Sequence, residues 1–297
     1  MTGSKSASGL LLLDKESGRT SFEALSPVKR LLGTGKVGHT GTLDKFASGL
    51  LAVLTGSALK LAPWFTSCDK EYEAVVLFGS ETDTLDPEGK IIAEAPPPSR
   101  DYIEKILPRF TGEILQAPPA YSAVHINGKR AYELARDGKE PEMKNRNVTI
   151  YNLALEKWEA PYATFRVNCS SGTYIRSLAR DIALAADSRA HLSALRRTRI
   201  GGFEVQEAFR LTDDKAECAE NIIRPPDTNI FEKIGLSYTY INDEEEKMIS
   251  VGKPLEFIAG KLPEAAVLGL FSKNTNELIA VIEHKNGHWK YSHVFSA

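Results

Sequence analysis

Residues 36–51 have the sequence KVGHTGTLDKFASGLL and hold the features around which the rest of the chain is organised. Three glycines, at positions 38, 41 and 49, flank a single carboxylate, Asp44. Glycine at this density lets a backbone approach another backbone or a ligand closely, at an entropic cost that a plain connector avoids. The apolar run 50–54 follows at once, which predicts a loop anchored to a buried strand. An ordinary turn with a solvated Asp is the alternative interpretation.

The composition is that of an ordinary globular protein. The 297 residues, 42% hydrophobic and 26% charged, suffice for one sizeable core and a second small domain. Cys68, Cys169 and Cys218 form no CxxC pair, which favours a reducing compartment and argues against a disulfide framework or a zinc site. No apolar run approaches the roughly 18 residues needed to cross a bilayer. We therefore expect a cytoplasmic protein that begins with a short disordered lead at residues 1–8.

The charge of the chain is unevenly distributed. The net charge is −2, yet residues 1–50 carry 7 Lys and Arg against 4 Asp and Glu, and residues 151–200 carry 8 against 4. Residues 201–250 carry 5 against 12. Because phosphate binding needs a local positive field and not a positive average, the whole-chain charge does not exclude RNA as a partner.

A nicotinamide-binding enzyme is one alternative, because residues 33–38 match the fingerprint GxGxxG. The context is wrong for it: a helical pattern precedes the glycines, no helix opens after Gly38, and the acidic residue expected about 20 positions later is missing. The phosphate-loop pattern also fails, since Gly35-Lys36 is followed by Val37. The sequence therefore predicts neither kind of nucleotide site.

Hydrophobic periodicity predicts an alternation of strands and helices. Strands are expected at 9–14, 71–78, 90–94 and 163–170, and short strands recur within 248–297. The predicted helix signals are a capping box at Thr20 and Glu23, an N-cap at Ser26 for a helix ending near Gly33, an N-cap at Ser99, and a helix running to about Ala186. Residues 212–247 are acidic and helix-like.

The glycine-rich stretch resembles the signature G-H-T-G-x-L-D-x-x-A-[ST]-G of the tRNA pseudouridine-55 synthases, the stand-alone bacterial relatives of dyskerin. Four further ordered motifs are similar to that family's: residues 14–21, residues 69–72 with 82–89, residues 127–136, and residues 169–176 with 195–203. Two positions depart from the pattern, Lys45 and Glu16, where the family usually carries Pro. The resemblance covers roughly residues 9–210.

This resemblance implies an α+β fold, with a mixed, largely antiparallel sheet and flanking helices. The catalytic domain is expected at 9–240, and a small C-terminal β module of the PUA type, which binds RNA, at 248–297. Residues 117–149 are expected to form a thumb-like insertion that clamps RNA. By composition alone, a solvated helix is the alternative for that insertion.

The resemblance also implies roles for individual residues. Asp44 would be the catalytic carboxylate and Arg176 its partner, because a guanidinium pairs with a carboxylate bidentately and keeps its charge. Tyr72 would stack on the uracil and is the candidate for handling the C5 proton. The other expected substrate contacts are His39, Tyr174 and Leu195, the last two with plain core packing as the alternative. The expected RNA contacts are Lys15, for which a structural role is the alternative, and Lys129, Arg130 and Arg136.

The predicted function is isomerisation of uridine to pseudouridine at position 55 in the T-arm of tRNA. Nothing is oxidised and no group is carried in, so we expect no cofactor or metal. The only histidine pair with ligand-like spacing, His284 and His288, is interpreted as surface. Whether Asp44 attacks C1′ or C6, or removes the C2′ proton, stays open. A non-catalytic RNA-binding or tRNA-folding protein is the alternative, and we expect a monomer without an obligate protein partner.

Overall fold

The computed structural model describes residues 8–122, 124–126, 128–137, 143–210 and 222–295. The strands are β1 (Gly9–Lys15), β2 (Val37–His39), β3 (Ser48–Thr55), β4 (Lys70–Phe78), β5 (Ser80–Thr82), β6 (Ile91–Glu94), β7 (Gly112–Gln116), β8 (His125–Ile126), β9 (Lys129–Arg130), β10 (Arg146–Glu159), β11 (Tyr162–Cys169), β12 (Ala190–Ile200), β13 (Phe203–Glu204), β14 (Ser237–Ile241), β15 (Val267–Ser272), β16 (Leu278–Lys285) and β17 (His288–Val294). The α-helices are α1 (Ser21–Ala24), α2 (Ser26–Leu32), α3 (Ala62–Ser67), α4 (Arg100–Ile106), α5 (Ala131–Arg136), α6 (Ile175–Ala185), α7 (Thr228–Lys233), α8 (Asp243–Ser250) and α9 (Glu256–Ala259). Short 3₁₀ helices occupy Gly56–Leu61, Leu107–Phe110 and Val205–Glu207.

The large sheet has the strand order β1-β3-β12-β4-β11-β10-β7, with β2 added to β3 and β13 to β12. Neighbouring strands are antiparallel except at the junction of β3 and β12, which pair in parallel through Ser48 with Arg196 and Gly49 with Arg197. A separate four-stranded sheet has the order β14-β15-β16-β17. The predicted α+β class with a mixed, largely antiparallel sheet and a small C-terminal β module is confirmed.

One face of the large sheet packs on helices α4 and α6 and forms the main core. Strand β4 alternates strictly, and its buried residues point to that face. Helix α6 buries Leu178, Ile182 and two alanines against the same strands. Leu43 and Ala47, which flank Asp44, belong to this cluster. The glycine-rich loop is therefore anchored in the core of the sheet, as its apolar neighbours predicted.

Several local predictions hold and one needs correction. The capping box at Thr20 and Glu23 and the N-cap at Ser99 are present. Ser26, however, is the first residue of α2, and Leu25 is its N-cap without a side-chain bond. The strand β6 pairs with β5 and not with the long strand β4. Short strands of this kind carry too little periodicity for their partners to be identified from sequence.

The C-terminal sheet begins at Ser237, before residue 248, because β14 pairs in parallel with β15. Its core shares a cluster with the large sheet, in which Phe231 and Phe271 lie with Leu10 and Leu54. Residues 1–7 of the expected lead, Cys218, and residues 211–221 of the acidic stretch lie outside the described residues. The thumb and PUA assignments stay predictions.

We predict that Gly49→Ala prevents stable folding. Gly49 has a φ of +104°, and a Cβ there would collide with the carbonyl oxygen of Arg197 and lie 2.7 Å from its nitrogen. Both atoms belong to the partner strand, so neither can give way. We expect the free energy of unfolding to fall by roughly 3 kcal/mol or more, measured by urea denaturation.

The matched control is Gly112→Ala, because Gly112 has a similar φ of +92° but open space around the position of a Cβ. It should lose only about 1 kcal/mol, the cost of the backbone conformation alone. Equal losses in both variants would contradict the close approach of the two strands.

Candidate active site

The loop that carries Asp44 connects β2 to β3 and is bound along its length by the segment 15–21. Hydrogen bonds from both the backbone and the side chains of this segment hold the loop. They are Ser21 Oγ with the Leu43 nitrogen (2.9 Å) and oxygen (3.0 Å), Gly18 N donating to Lys45 O (2.8 Å), Ser17 Oγ donating to Phe46 O (2.7 Å), and Lys15 Nζ donating to Ala47 O. The backbone on both sides of Asp44 is therefore fixed by a second stretch of chain.

Lys15 is a scaffold residue in this arrangement. It is 2% exposed, and its ammonium donates to the carbonyls of Glu16, Arg19 and Ala47. Burial lowers the pKa of Lys15 to about 8, an effect that the nearby carboxylate of Asp44 partly opposes. The RNA contact expected for Lys15 does not fit this position, because its charge is enclosed and already bonded; the structural role does.

Arg197 binds the loop from the other side. It is buried, donates from Nε to Leu50 O (2.8 Å) and from Nη2 to Gly41 O (3.1 Å), and is hydrogen-bonded to Tyr72. The loop between these two carbonyls is thus held by a cation whose own strand, β12, pairs with β3. The two ends of the glycine-rich stretch cannot move independently of the sheet.

Arg176, at the start of α6, pairs with Asp44. Its Nε lies 3.0 Å from Asp44 Oδ2, and its Nη2 donates to Oδ1 at 3.3 Å. Nη1 donates to Asp86 Oδ2 (3.2 Å) and Thr84 O (2.8 Å), and Nη2 donates again to Tyr121 O (2.9 Å). Every N–H of the guanidinium thus faces an oxygen, which fixes its orientation.

The two carboxylates on Arg176 differ in exposure. The side chain of Asp86 is 7% exposed, like that of Arg176, whereas the side chain of Asp44 is 38% exposed. Burial raises the pKa of Asp44; Arg176 opposes the rise, and Asp86 adds to it. Asp86 therefore anchors the arginine, and Asp44 is the carboxylate that a substrate can reach.

The other predicted pocket residues are Tyr72, Leu195, His39 and Tyr174. Tyr72 and Leu195 are buried in the same cluster as Leu43. Burial raises the pKa of the Tyr72 phenol, so it is protonated at neutral pH. His39 is half-buried, which lowers its pKa, and its Nδ1 accepts a bond from Gly41 N at 3.4 Å. The imidazole is therefore neutral at pH 7.

Tyr174 lies at the N-terminus of α6. Its main chain is bonded to the side chain of Gln116, and the guanidinium of Arg146 lies 5.2 Å from the centre of its ring. Lys129 and Arg130 form the exposed strand β9 of a two-stranded hairpin. The side chain of Arg136 lies outside the described part of the chain.

Sequence reasoning missed three residues of this site. Asp86, Arg197 and Gln116 received no individual role. Asp86 does stand in the 82–89 motif, so that motif was the available signal. Arg197 likewise stands in the 195–203 motif. For Gln116 the signal is weaker, because a polar residue in a strand is usually exposed and only its partners reveal otherwise.

The amino-acid sequence is similar to those of known proteins. The chain matches the model described as TruB family pseudouridylate synthase (N terminal domain) over residues 29–175. It is 44% identical over 242 residues to tRNA pseudouridine synthase B of Borreliella burgdorferi, covering 79% of this chain and 83% of the relative. The corresponding protein of Borrelia garinii subsp. bavariensis is 41% identical over 278 residues, 93% of this chain and 94% of the relative.

The fold has a solved counterpart in the crystal structure of a Cbf5-Nop10-Gar1 complex. The TM-score is 0.67 and the identity 28%, over 93% of this chain and 78% of that chain. Fold, site and relatives together define a pseudouridine synthase. The chain belongs to the TruB family of pseudouridylate synthases.

No helix in the described part of the chain is both long and apolar enough to cross a membrane.

We predict that Lys15 makes the stability of the protein rise between pH 8 and 10.5. Its pKa is about 8 in the folded protein and 10.5 in a solvated chain, so the unfolded chain binds more protons in this window. Relative to Lys15→Met, the wild type should gain at most about 3 kcal/mol across it. Urea unfolding of both proteins at several pH values measures this difference, and an identical pH dependence in the two would contradict it.

Proposed function

We propose that this enzyme isomerises uridine to pseudouridine at position 55 in the T-arm of tRNA, with Asp44 as the essential carboxylate. The observation that carries the proposal is the bidentate pairing of Asp44 with a buried, fully bonded Arg176. The relatives named tRNA pseudouridine synthase B support tRNA as the substrate. A binding protein alone would not require a desolvated carboxylate held in a site meant for phosphate-bearing RNA.

The reaction breaks the bond from C1′ to N1, turns the uracil, and rejoins it to C1′ through C5. The proton on C5 is lost, and N1 gains one, so the product is an isomer and no co-reactant is consumed. Asp44 must be ionised to attack C1′ or C6 or to remove the C2′ proton. Arg176 supports the ionised form against the effect of burial.

The target uridine must leave its stack to reach Asp44. We propose that Tyr72 stacks on the turned-out uracil and handles the C5 proton. Leu195 and Tyr174 line the pocket, and the neutral imidazole of His39 lies among the displaced bases. Each of these roles follows from the resemblance.

The remaining surfaces would hold the rest of the arm. The exposed hairpin with Lys129 and Arg130 belongs to the thumb-like insertion, and we propose that it clamps RNA together with the C-terminal module. Arg136 has the same proposed role.

We propose that the enzyme acts as a cytoplasmic monomer without an obligate protein partner; the free, buried Cys68 and Cys169 support a reducing compartment.

We predict that Asp44→Asn abolishes tritium release from tRNA labelled at uridine C5. The amide cannot act as a nucleophile or a base, although it fills the same space. The control is Asp101→Asn, in the exposed first turn of α4, which should release tritium as the wild type does. Release by Asp44→Asn would remove Asp44 as the essential carboxylate. No release by the wild type, with tight tRNA binding, would favour a non-catalytic RNA-binding protein.

We predict that Arg176→Lys slows the single-turnover reaction by about a hundredfold and moves the acidic limb of its pH profile upward. A lysine keeps the charge but loses the two-point contact with Asp44. Since Arg176 lowers the pKa of Asp44, a weaker contact lets that pKa rise, and the rate then falls at a higher pH as the solution is acidified.

The control for this variant is Arg166→Lys. Arg166 pairs with Glu71 and Glu156 at the sheet surface, so the same substitution there should leave rate and profile unchanged. A profile for Arg176→Lys that coincides with that of the wild type would refute the electrostatic role of Arg176.

A further inference from the structure

We infer that Gln116 is a positioning residue for this reaction: it aligns Arg176 on Asp44 by holding the main chain of Tyr174. Gln116 is the last residue of β7 and is 0% exposed. A carboxamide buried this completely must have both its donor and its acceptor bonded. The inference rests on the proposed role of Asp44 and adds a residue that acts on it from a distance.

The carboxamide makes a two-point contact with one residue. Oε1 accepts from Tyr174 N at 2.8 Å, and Nε2 donates to Tyr174 O at 3.1 Å. Gln116 therefore bonds to Tyr174 as a neighbouring strand would. Tyr174 is the N-cap of α6, its own side chain provides no cap, and its carbonyl also accepts from Leu178 N at 3.0 Å. The start of the helix is fixed by a side chain from another element.

The residues next to Gln116 strengthen the same junction. Ala117 O accepts from Ser177 Oγ (2.8 Å) and from Arg180 Nη2 (3.2 Å), both on α6. Gln116 is paired in register with Arg146, whose guanidinium covers the ring of Tyr174. Gln116, just before the proposed thumb, and Arg146, near the end of it, thus both contact Tyr174, one on its backbone and the other on its ring.

The consequence for catalysis follows from the chain order. Arg176 comes two residues after Tyr174, so any shift of the Tyr174 backbone moves the base of the arginine. At its tip, the guanidinium is already bonded to Asp44, Asp86 and Tyr121 O and has no spare donor to compensate. Misalignment at the base therefore appears as a poorer contact with Asp44, the exposed member of the cluster.

Glutamine suits this position because its side chain is long enough to bring both a donor and an acceptor to the main chain of Tyr174. Methionine has nearly the same length but makes neither bond, so Tyr174 N loses its acceptor and Tyr174 O keeps only the bond from Leu178 N. Asparagine keeps the carboxamide but is shorter by one methylene. The two variants therefore separate loss of the bonds from loss of the polar group.

The test compares Gln116→Met with the wild type in single-turnover pseudouridine formation across a pH series, with the tRNA dissociation constant and the melting temperature measured beside it. We expect a rate about 30-fold lower with an unchanged dissociation constant. The acidic limb should move to higher pH, as in Arg176→Lys. The charged groups that act on Asp44 are Arg176, Asp86, Glu88 and Lys15. Of these, Gln116→Met displaces only Arg176.

The matched control is Ser188→Ala, which removes a buried bond from Ser188 Oγ to Pro96 O (2.8 Å) beyond the far end of α6. It should lower the melting temperature without moving the pH limb. If Gln116→Met does not fold, Gln116→Asn should show the same shift to a smaller extent.

A folded Gln116 variant whose rate and pH limb match the wild type would overturn the inference and leave the proposed function intact. A variant that loses rate only in proportion to its loss of folded protein would also overturn it. Inactive wild-type enzyme would instead count against the proposed function itself.

Discussion

The site depends on one buried guanidinium. A charge removed from water is tolerated only where its whole hydrogen-bonding capacity is met and an opposite charge lies close. Arg176 meets this condition with two carboxylates and two carbonyls drawn from separate parts of the chain. Asp86 neutralises the arginine from the buried side and leaves Asp44 on the open side. The fold must therefore bring the loop, the turn after β5 and the start of α6 together before the charge can be buried.

Two further cations hold the loop of Asp44 without pairing to it. Lys15 and Arg197 donate to carbonyls in the loop and at the start of β3, so they fix the backbone, and Lys15 also places positive charge near the carboxylate. The contacts of Lys15 therefore make the loop rigid and stabilise the charge of Asp44. Preorganised charge of this kind needs no rearrangement when the substrate arrives.

The helices and strands could be predicted from local sequence patterns, whereas the site is formed by contacts between distant parts of the chain. Three features could be predicted because each depends on neighbours in sequence: the alternation of buried and exposed residues in β4, the buried apolar run of β1, and the helix cap at Ser99. The resemblance of the motifs placed Asp44 and Arg176, which lie together as expected. The pairing of Asp86 with Arg176, the burial of Lys15 and the parallel pairing of β3 with β12 could not be predicted from the sequence, since a polar residue shows no sign of its partner until the chain is folded.

The parallel pair of β3 and β12 has a consequence for how the protein becomes active. Asp44 and Arg176 are 132 residues apart, and Arg197 reaches back 147 residues to Leu50 and 156 to Gly41. Contacts between residues this far apart in sequence form slowly, because the entropy cost of closing a long loop comes before the contacts stabilise the fold. During synthesis, a nascent chain that has not reached residue 197 lacks a member of the cluster. The cluster around Asp44 can therefore be complete only after residue 197 has been synthesised.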